Sequence, residues 1–198
     1  MKAPLLLLIV LAGCAAIDYS PIKADSPAPV PPPAPGPHPV CAAVPPAGTM
    51  RLAKGAACMF PIRADQPLTL TPLAIEPKES YRISVPRNQV WFDKERRNVP
   101  PHGEPGDWLM NLVAPWKRLP GSQWFALIAA NLGHDGTATE PYPMHDVSTN
   151  PVLKFQHAGR LALFPNDAIV PLLGNFYSNN SGQVWVQIEH CATACAGQ

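Results

Sequence analysis

Proline constrains this chain more than any other residue type. It occupies 27 of 198 positions, and each proline fixes φ near about −65° and removes a backbone donor, so a helix tolerates one only in its first turn. Between residues 26 and 40 the run SPAPVPPPAPGPHPV places proline at nearly every second position. Such a segment buries nothing and reads as a disordered, extended and semi-rigid polyproline linker. Further on, Pro61, Pro67, Pro72, Pro77 and Pro86 argue against long helices and for edge strands or bulges.

Alternation supplies the rest of the fold class. Leu161 and Leu163 alternate with small or polar neighbours, and Val184, Val186 and Ile188 alternate with Gln183, Trp185 and Gln187, the period of half-buried strands. Leu68 and Leu70 suggest another strand, and residues 81–85 continue past Pro86 into Val90, Trp91 and Phe92. Residues 124–132 are the most hydrophobic run outside the N-terminus and read as a central sandwich strand. Residues 98–121 read as loop-rich, with apolar islands at Trp108-Leu109-Met110 and Trp116, and residues 134–155 as polar and turn-rich without periodicity. The expectation is an all-β sandwich with long loops over residues 48–198.

The stretch 159–190 reads as strand, polar insert, strand. Asn166-Asp167 closes the first strand and Asn179-Asn180-Ser181-Gly182 opens the second. Carboxylate, amide and carbonyl oxygens gathered in this way suit calcium, while the same residue types also serve as turn formers that tolerate left-handed backbone. The run L-x-L-x-x-N-D followed by Y-x-N-N-S-G-x-x-x-V-x-I resembles the C-terminal half of the calcium-dependent galactose-binding lectins of bacteria and their wider relatives, which are jelly-roll sandwiches. Upstream, Y-x-I-x-V-x-x-x-x-V-W-F-D at 81–93, P-P-H-G-E-P-G at 100–106 and W-F-A-L-I-A-A-N-L-G at 124–133 stand in the family's order. The resemblance covers roughly residues 66–190. It implies a galactose-binding-like jelly roll with calcium as cofactor, held by Asp167, Asn179, Asn180 and the carbonyl of Phe176. It also implies carbohydrate binding through Asp167, Asn179 and Asn180, with Glu104 and Asp107 standing where the lectins place their sugar-contacting His and Gln. The sequence departs from the family in a longer loop between Asp167 and Asn179, which carries Val170-Pro171-Leu172-Leu173.

Met1-Lys2 and the short apolar stretch of residues 4–11, ending in Leu11-Ala12-Gly13-Cys14, resemble a bacterial lipoprotein signal with its lipobox. The resemblance implies removal of residues 1–13 and acylation of Cys14. Residues 14–47 then become a lipidated linker on the outer membrane, since Ala15 and Ala16 stand where Asp would favour inner-membrane retention. Loss of Lys2 leaves 14 basic against 14 acidic residues, which removes any electrostatic case for nucleic acid. Lys94, Arg96 and Arg97 surround Glu95 and read as a solvated loop face. Four further cysteines, Cys41, Cys58, Cys191 and Cys195, allow three pairings in an oxidising compartment. Proximity favours Cys41 with Cys58 and Cys191 with Cys195. The rival is a zinc site using Cys191, Cys195 and His190.

An enzyme is not expected. His102, His134, His145, Asp146 and His157 are scattered, and the chain contains no G-x-S-x-G or H-E-x-x-H motif,. The expected function is a lipid-anchored envelope protein whose lectin-like sandwich binds carbohydrate through calcium. The alternative is a non-catalytic interaction or structural subunit of an envelope assembly, docking a protein partner through Leu172-Leu173 or Trp108-Leu109-Met110. If the thiol of Cys14 is the acylation point, Cys14→Ser should accumulate as an unprocessed precursor. Normal processing and membrane retention of that variant in fractionated cells would refute the lipobox.

Overall fold

The computed structural model describes residues 38–41, 48–93, 98–132, 144–171, 174–193 and 195. Cys14, the signal, most of the linker, residues 94–97, His134 and Leu172-Leu173 lie outside the described residues. The described residues form ten strands in chain order: β1 (Ala57–Arg63), β2 (Thr69–Ile75), β3 (Ser80–Ser84), β4 (Leu127–Leu132), β5 (Met144–Asp146), β6 (Val152–Lys154), β7 (Gly159–Pro165), β8 (Ile169–Val170), β9 (Gly174–Asn175) and β10 (Gln183–His190). They form two four-stranded antiparallel sheets, ordered β1-β10-β3-β6 and β2-β7-β4-β5, with β8 and β9 as a separate ribbon. The chain is an all-β sandwich. Among the described residues no helix is long and apolar enough to cross a membrane.

The main core lies between the sheets. Ile62, Ile83, Val184, Val186 and Ile188 come from the first sheet, and Leu73, Ile75, Leu127, Ala129, Leu161 and Leu163 from the second. β10 keeps the alternation read from its sequence, with Gln183, Gln187 and Glu189 turned outward. β4 is buried along its whole length. Its other face, Ile128, Ala130 and Leu132, joins Ala162 and Phe164 beneath Leu68, Leu70, Leu119 and Met144. A strand covered on both sides shows no period of two, which is why residues 124–132 read as one continuous apolar run.

The prolines sit where a missing donor costs nothing. Pro61 is in the edge strand β1, paired with Trp185. Met59, of the same parity, sends its N–H away from β10 to the carbonyl of Pro39, so the absent N–H of Pro61 also falls on the outer side. Pro72 is in the edge strand β2, within a register shift between Leu70 and Ala74. There the hydroxyl of Thr71 donates to the carbonyl of Leu161 at 2.8 Å, standing in for a ladder bond.

Several elements depart from the sequence expectation. β1 lies in a stretch where only Leu68 and Leu70 had suggested a strand. β5 and β6 occupy three residues each within the segment read as turn, too short for any period to register. A six-residue helix, α1 (Trp108–Val113), stands in the loop-rich region. Trp91 and Phe92 form isolated bridges to Val99 and Ser181 in place of the strand expected over residues 90–92. Residues 39–41 belong to the fold, upstream of the boundary drawn at residue 48. The N–H of Cys41 donates to Met59, and Cys41 is buried with Cys58.

Both disulfides join the nearest partners, Cys41 with Cys58 and Cys191 with Cys195, with Cα separations of 4.9 and 5.4 Å. The sulfurs that a zinc site would need are thereby joined to each other. Closing the 17-residue interval from Cys41 to Cys58 contributes about 3 kcal/mol by loop-closure entropy.

Gly159, the first residue of β7, tests the tightness of this packing. A Cβ there would lie 2.0 Å from the backbone oxygen of Leu132 and 2.2 Å from Oδ1 of Asn131. Gly159→Ala should therefore lower the denaturant midpoint by an amount worth about 3 kcal/mol with the m-value unchanged. Gly121→Ala, where a Cβ meets nothing within 4 Å, should stay within about 0.5 kcal/mol. Equal effects would contradict the close approach of β7 to β4.

Candidate functional site

The polar residues at the end of β7 have separate tasks. Asn166 is fully buried and ties down the preceding loops. Its Oδ1 accepts from the N–H of Leu119 at 3.0 Å, and its Nδ2 donates to the carbonyls of Leu119 and Gln123 at 2.9 and 3.0 Å. Its own backbone pairs with Ala126 and Phe125. Phe125 holds φ at 60°, a left-handed conformation that is costly for a bulky residue. It is kept there by its N–H bond to Asn166 and by the indole N–H of Trp91, which donates to its carbonyl at 3.0 Å.

Asp167 faces inward and is only 4% exposed. Oδ1 accepts from the N–H of Ala168 at 2.7 Å, and Oδ2 accepts from Nδ2 of Asn180 at 2.8 Å. The Tyr177 hydroxyl braces the same turn, donating to the carbonyl of Pro165 at 2.7 Å and accepting from the N–H of Asp167 at 3.2 Å. Burial pushes the Asp167 carboxyl up to about 6; the bonds from Asn180 and Ala168 pull the other way, and the nearby charge of Asp93 adds to the rise. Burial likewise raises Tyr177 above the ordinary phenol range.

A short 3-10 turn, Phe176–Asn179, delivers the second half of the cluster. The N–H of Phe176 donates to the carbonyl of Ala168, which sets the turn against the strand that follows Asp167. Asn179 donates from Nδ2 to Oδ1 of Asp93 at 2.9 Å. Nδ2 of Asn180 also lies 3.4 Å from the carbonyl of Ala64. The Oδ1 atoms of Asn179 and Asn180 are buried and accept no hydrogen bond among the described residues. A buried acceptor without a donor is costly.

Four of the expected site residues thus come together: Asp167, Phe176, Asn179 and Asn180. Glu104 and Asp107 do not join them by these bonds. Glu104 is bound through its backbone to Trp124 at 2.9 and 3.1 Å, and Asp107 caps α1, its Oδ1 accepting from the N–H of Met110 at 2.9 Å. The member of this cluster that the sequence does not point to is Asp93, bonded to Asn179. Its signal was the final acid of V-W-F-D, read only as a strand marker. Among the other candidates, Asp146 caps its own turn through the N–H and hydroxyl of Ser148. His145 stands edge-on to Phe155 with its ring pKa lowered by burial.

Two carboxylates and two unsatisfied amide oxygens converge here. Among the described residues no group of three or more His, Cys, Asp or Glu side chains could hold a metal. Calcium differs, because it takes amide and carbonyl oxygens alongside few carboxylates. The chain matches no protein-family model, no curated protein and no solved structure.

The raised carboxyl gives a pH signature with a definite sign. Asp167 titrates near 6 when folded and near its ordinary 3.8 when unfolded, so between these values the folded state holds the extra proton and stability falls as pH rises. The stability lost between pH 4 and pH 7 is about 2 kcal/mol from this group. In EDTA, the stability of Asp167→Asn relative to wild type should be higher at pH 7 than at pH 4 by about that amount. A difference between the two proteins that ignores pH would show that Asp167 is not buried in this way.

Proposed function

We propose that this chain is a non-catalytic binding module of the bacterial envelope, tethered through Cys14, whose Asp93, Asp167, Asn179 and Asn180 hold calcium and through it the hydroxyls of a carbohydrate. The observation that carries this reading is the pair of buried amide oxygens, those of Asn179 and Asn180, that accept no hydrogen bond among the described residues and lie beside the buried carboxylate of Asp167. Calcium would supply the missing positive charge and leave coordination positions for sugar hydroxyls. The chain's own residues prepare the place. Asn166 and Tyr177 fix the turn that presents Asp167, and the Phe176–Asn179 turn fixes Asn179 and Asn180. The ordered likeness to the galactose-binding lectins supports the sugar part of the proposal, and their jelly roll is the form of sandwich it implies. The proline-rich linker suits the tether. At about 3.1 Å per residue, some twenty-five linker residues would reach on the order of 75 Å from the lipid.

Calcium at a hundredfold excess over its Kd should stabilise the fold by about 2.7 kcal/mol, seen as a melting temperature that rises with calcium and returns with EDTA. Asp167→Asn and Asp93→Asn should each remove most of that rise. Because Asp167 must lose its proton to bind, affinity should weaken below about pH 6. Glycan binding on an array should then vanish in EDTA. A melt indifferent to millimolar calcium would sink the metal, whereas a calcium response without any glycan signal would sink only the sugar.

A further inference from the structure

α1 is built the wrong way round for a helix that faces water. Met110, Val113 and Ala114 pack against the core, so the opposite face should be polar. Instead Trp108 is 76% exposed and Leu112 60%, with Leu109 and Trp116 also exposed. Trp108 and Leu112, four apart within α1, share one face, and Trp116 follows in the adjoining 3-10 turn Ala114–Trp116. No residue from 108 to 116 carries a charge. The apolar surface continues across the chain. Lys117 bridges antiparallel to Ala168, and the N–H of Arg118 donates to the carbonyl of Asp167, which brings Trp116 beside Ile169, itself exposed. An uncharged strip therefore runs from Trp108 to Ile169 and ends two residues from Asp167.

We propose that this strip, Trp108, Leu109, Leu112, Trp116 and Ile169, is a docking edge that inserts into the interfacial layer of a lipid bilayer. Its composition is that of a membrane-interface surface: tryptophan at two positions, with leucine and isoleucine between and beside them. The chain outside the described residues says which occupant to choose. Thirty-seven residues precede His38, among them the apolar run 4–11 and Cys14, so the same molecule that exposes the strip carries a membrane tether under the proposed function. A tethered domain meets its bilayer at high effective concentration, and a modest apolar surface then suffices to hold it there. Docking would bring the polar cluster next to the headgroup layer, where lipid-borne sugars present their hydroxyls. The inference rests on the tether for its choice of partner, and not on calcium.

The test uses the full chain with Cys14→Ser and a single added cysteine carrying an environment-sensitive fluorophore, since the other four cysteines are paired. The label goes at Leu112→Cys or, as a control at the far end of the sandwich, at exposed Lys154→Cys. With vesicles of phosphatidylethanolamine and phosphatidylglycerol in EDTA, emission at 112 should brighten and shift to the blue while emission at 154 stays unchanged. Trp108→Ala with Trp116→Ala should lower the signal change at 112 on the order of tenfold at a fixed lipid concentration. Both tryptophans are exposed, so the fold should survive the change. Four results would overturn the docking edge: vesicles that pellet the chain with no change at 112, as binding through residues 4–11 alone would give; equal changes at 112 and 154; no binding, as expected if the strip fits another protein; or a response that ignores the tryptophans. All are read without calcium, so loss of the metal would leave the result standing.

Discussion

The buried side chain of Asn166 is the contact on which this end of the sandwich depends. Loops seldom run through an apolar interior, because their backbone groups have no water to satisfy them. Here residues 119–126 fold back against the end of β7, and the Asn166 amide and backbone take up Leu119, Gln123, Phe125 and Ala126 between them. With the loop fixed against β7, the next residue has nowhere to turn but inward. Asp167 is thus a consequence of Asn166: its carboxylate enters the protein and is met by Asn180 and Ala168. The same loop, continued backwards through Arg118 and Lys117, places Trp116 opposite Ile169 in the antiparallel register.

Edges form the second constraint. A sandwich of two open sheets leaves unpaired strand edges, which invite pairing with other chains. β1 is shielded by Pro39–Cys41 pairing and by the disulfide to Cys58, and it carries Pro61 on its outward side. β2 is bulged around Pro72 and partly covered by Met50, which pairs with Leu73. At the other ends of the sheets β5 and β6 are three residues long, too short to serve as templates. The proline content that excluded helices is thus also what blunts the exposed edges.

What was legible in the sequence follows the same lines. β7 and β10 were readable because one face of each alternates, and both disulfides because their cysteines are near neighbours. The cluster of Asp167, Asn179 and Asn180 was readable because its members flank one loop. β1 was obscured by Pro61 and by cysteine and alanine at core positions, and β5 and β6 by their length. α1 was obscured because its exposed face is as apolar as its buried one, so a helical period had no contrast. Asp93 comes from a segment more than seventy positions earlier in the chain, and only the bridge between Phe92 and Ser181 sets it beside Asn179. Glu104 and Asp107 were assigned by their order in the chain, and order does not reveal that a carboxylate is already committed to a helix cap.

The acid at position 167 bears on the choice between a structural turn and a binding site. Asp167 accepts one bond on each of its oxygens, from Ala168 on Oδ1 and from Asn180 on Oδ2, where an asparagine would offer one oxygen and one donor. The two bonds favour the charged form, but less than burial disfavours it. The charge is a burden, since burial and Asp93 both disfavour it, and the amide oxygens of Asn179 and Asn180 add two acceptors with no donor. These penalties share one sign: each is an excess of negative potential in a small buried volume, and each would be relieved by a single positive partner. Under the proposed function that partner would be a cation accepting oxygen ligands of mixed type, and the stability given up at this turn would reappear as affinity for it.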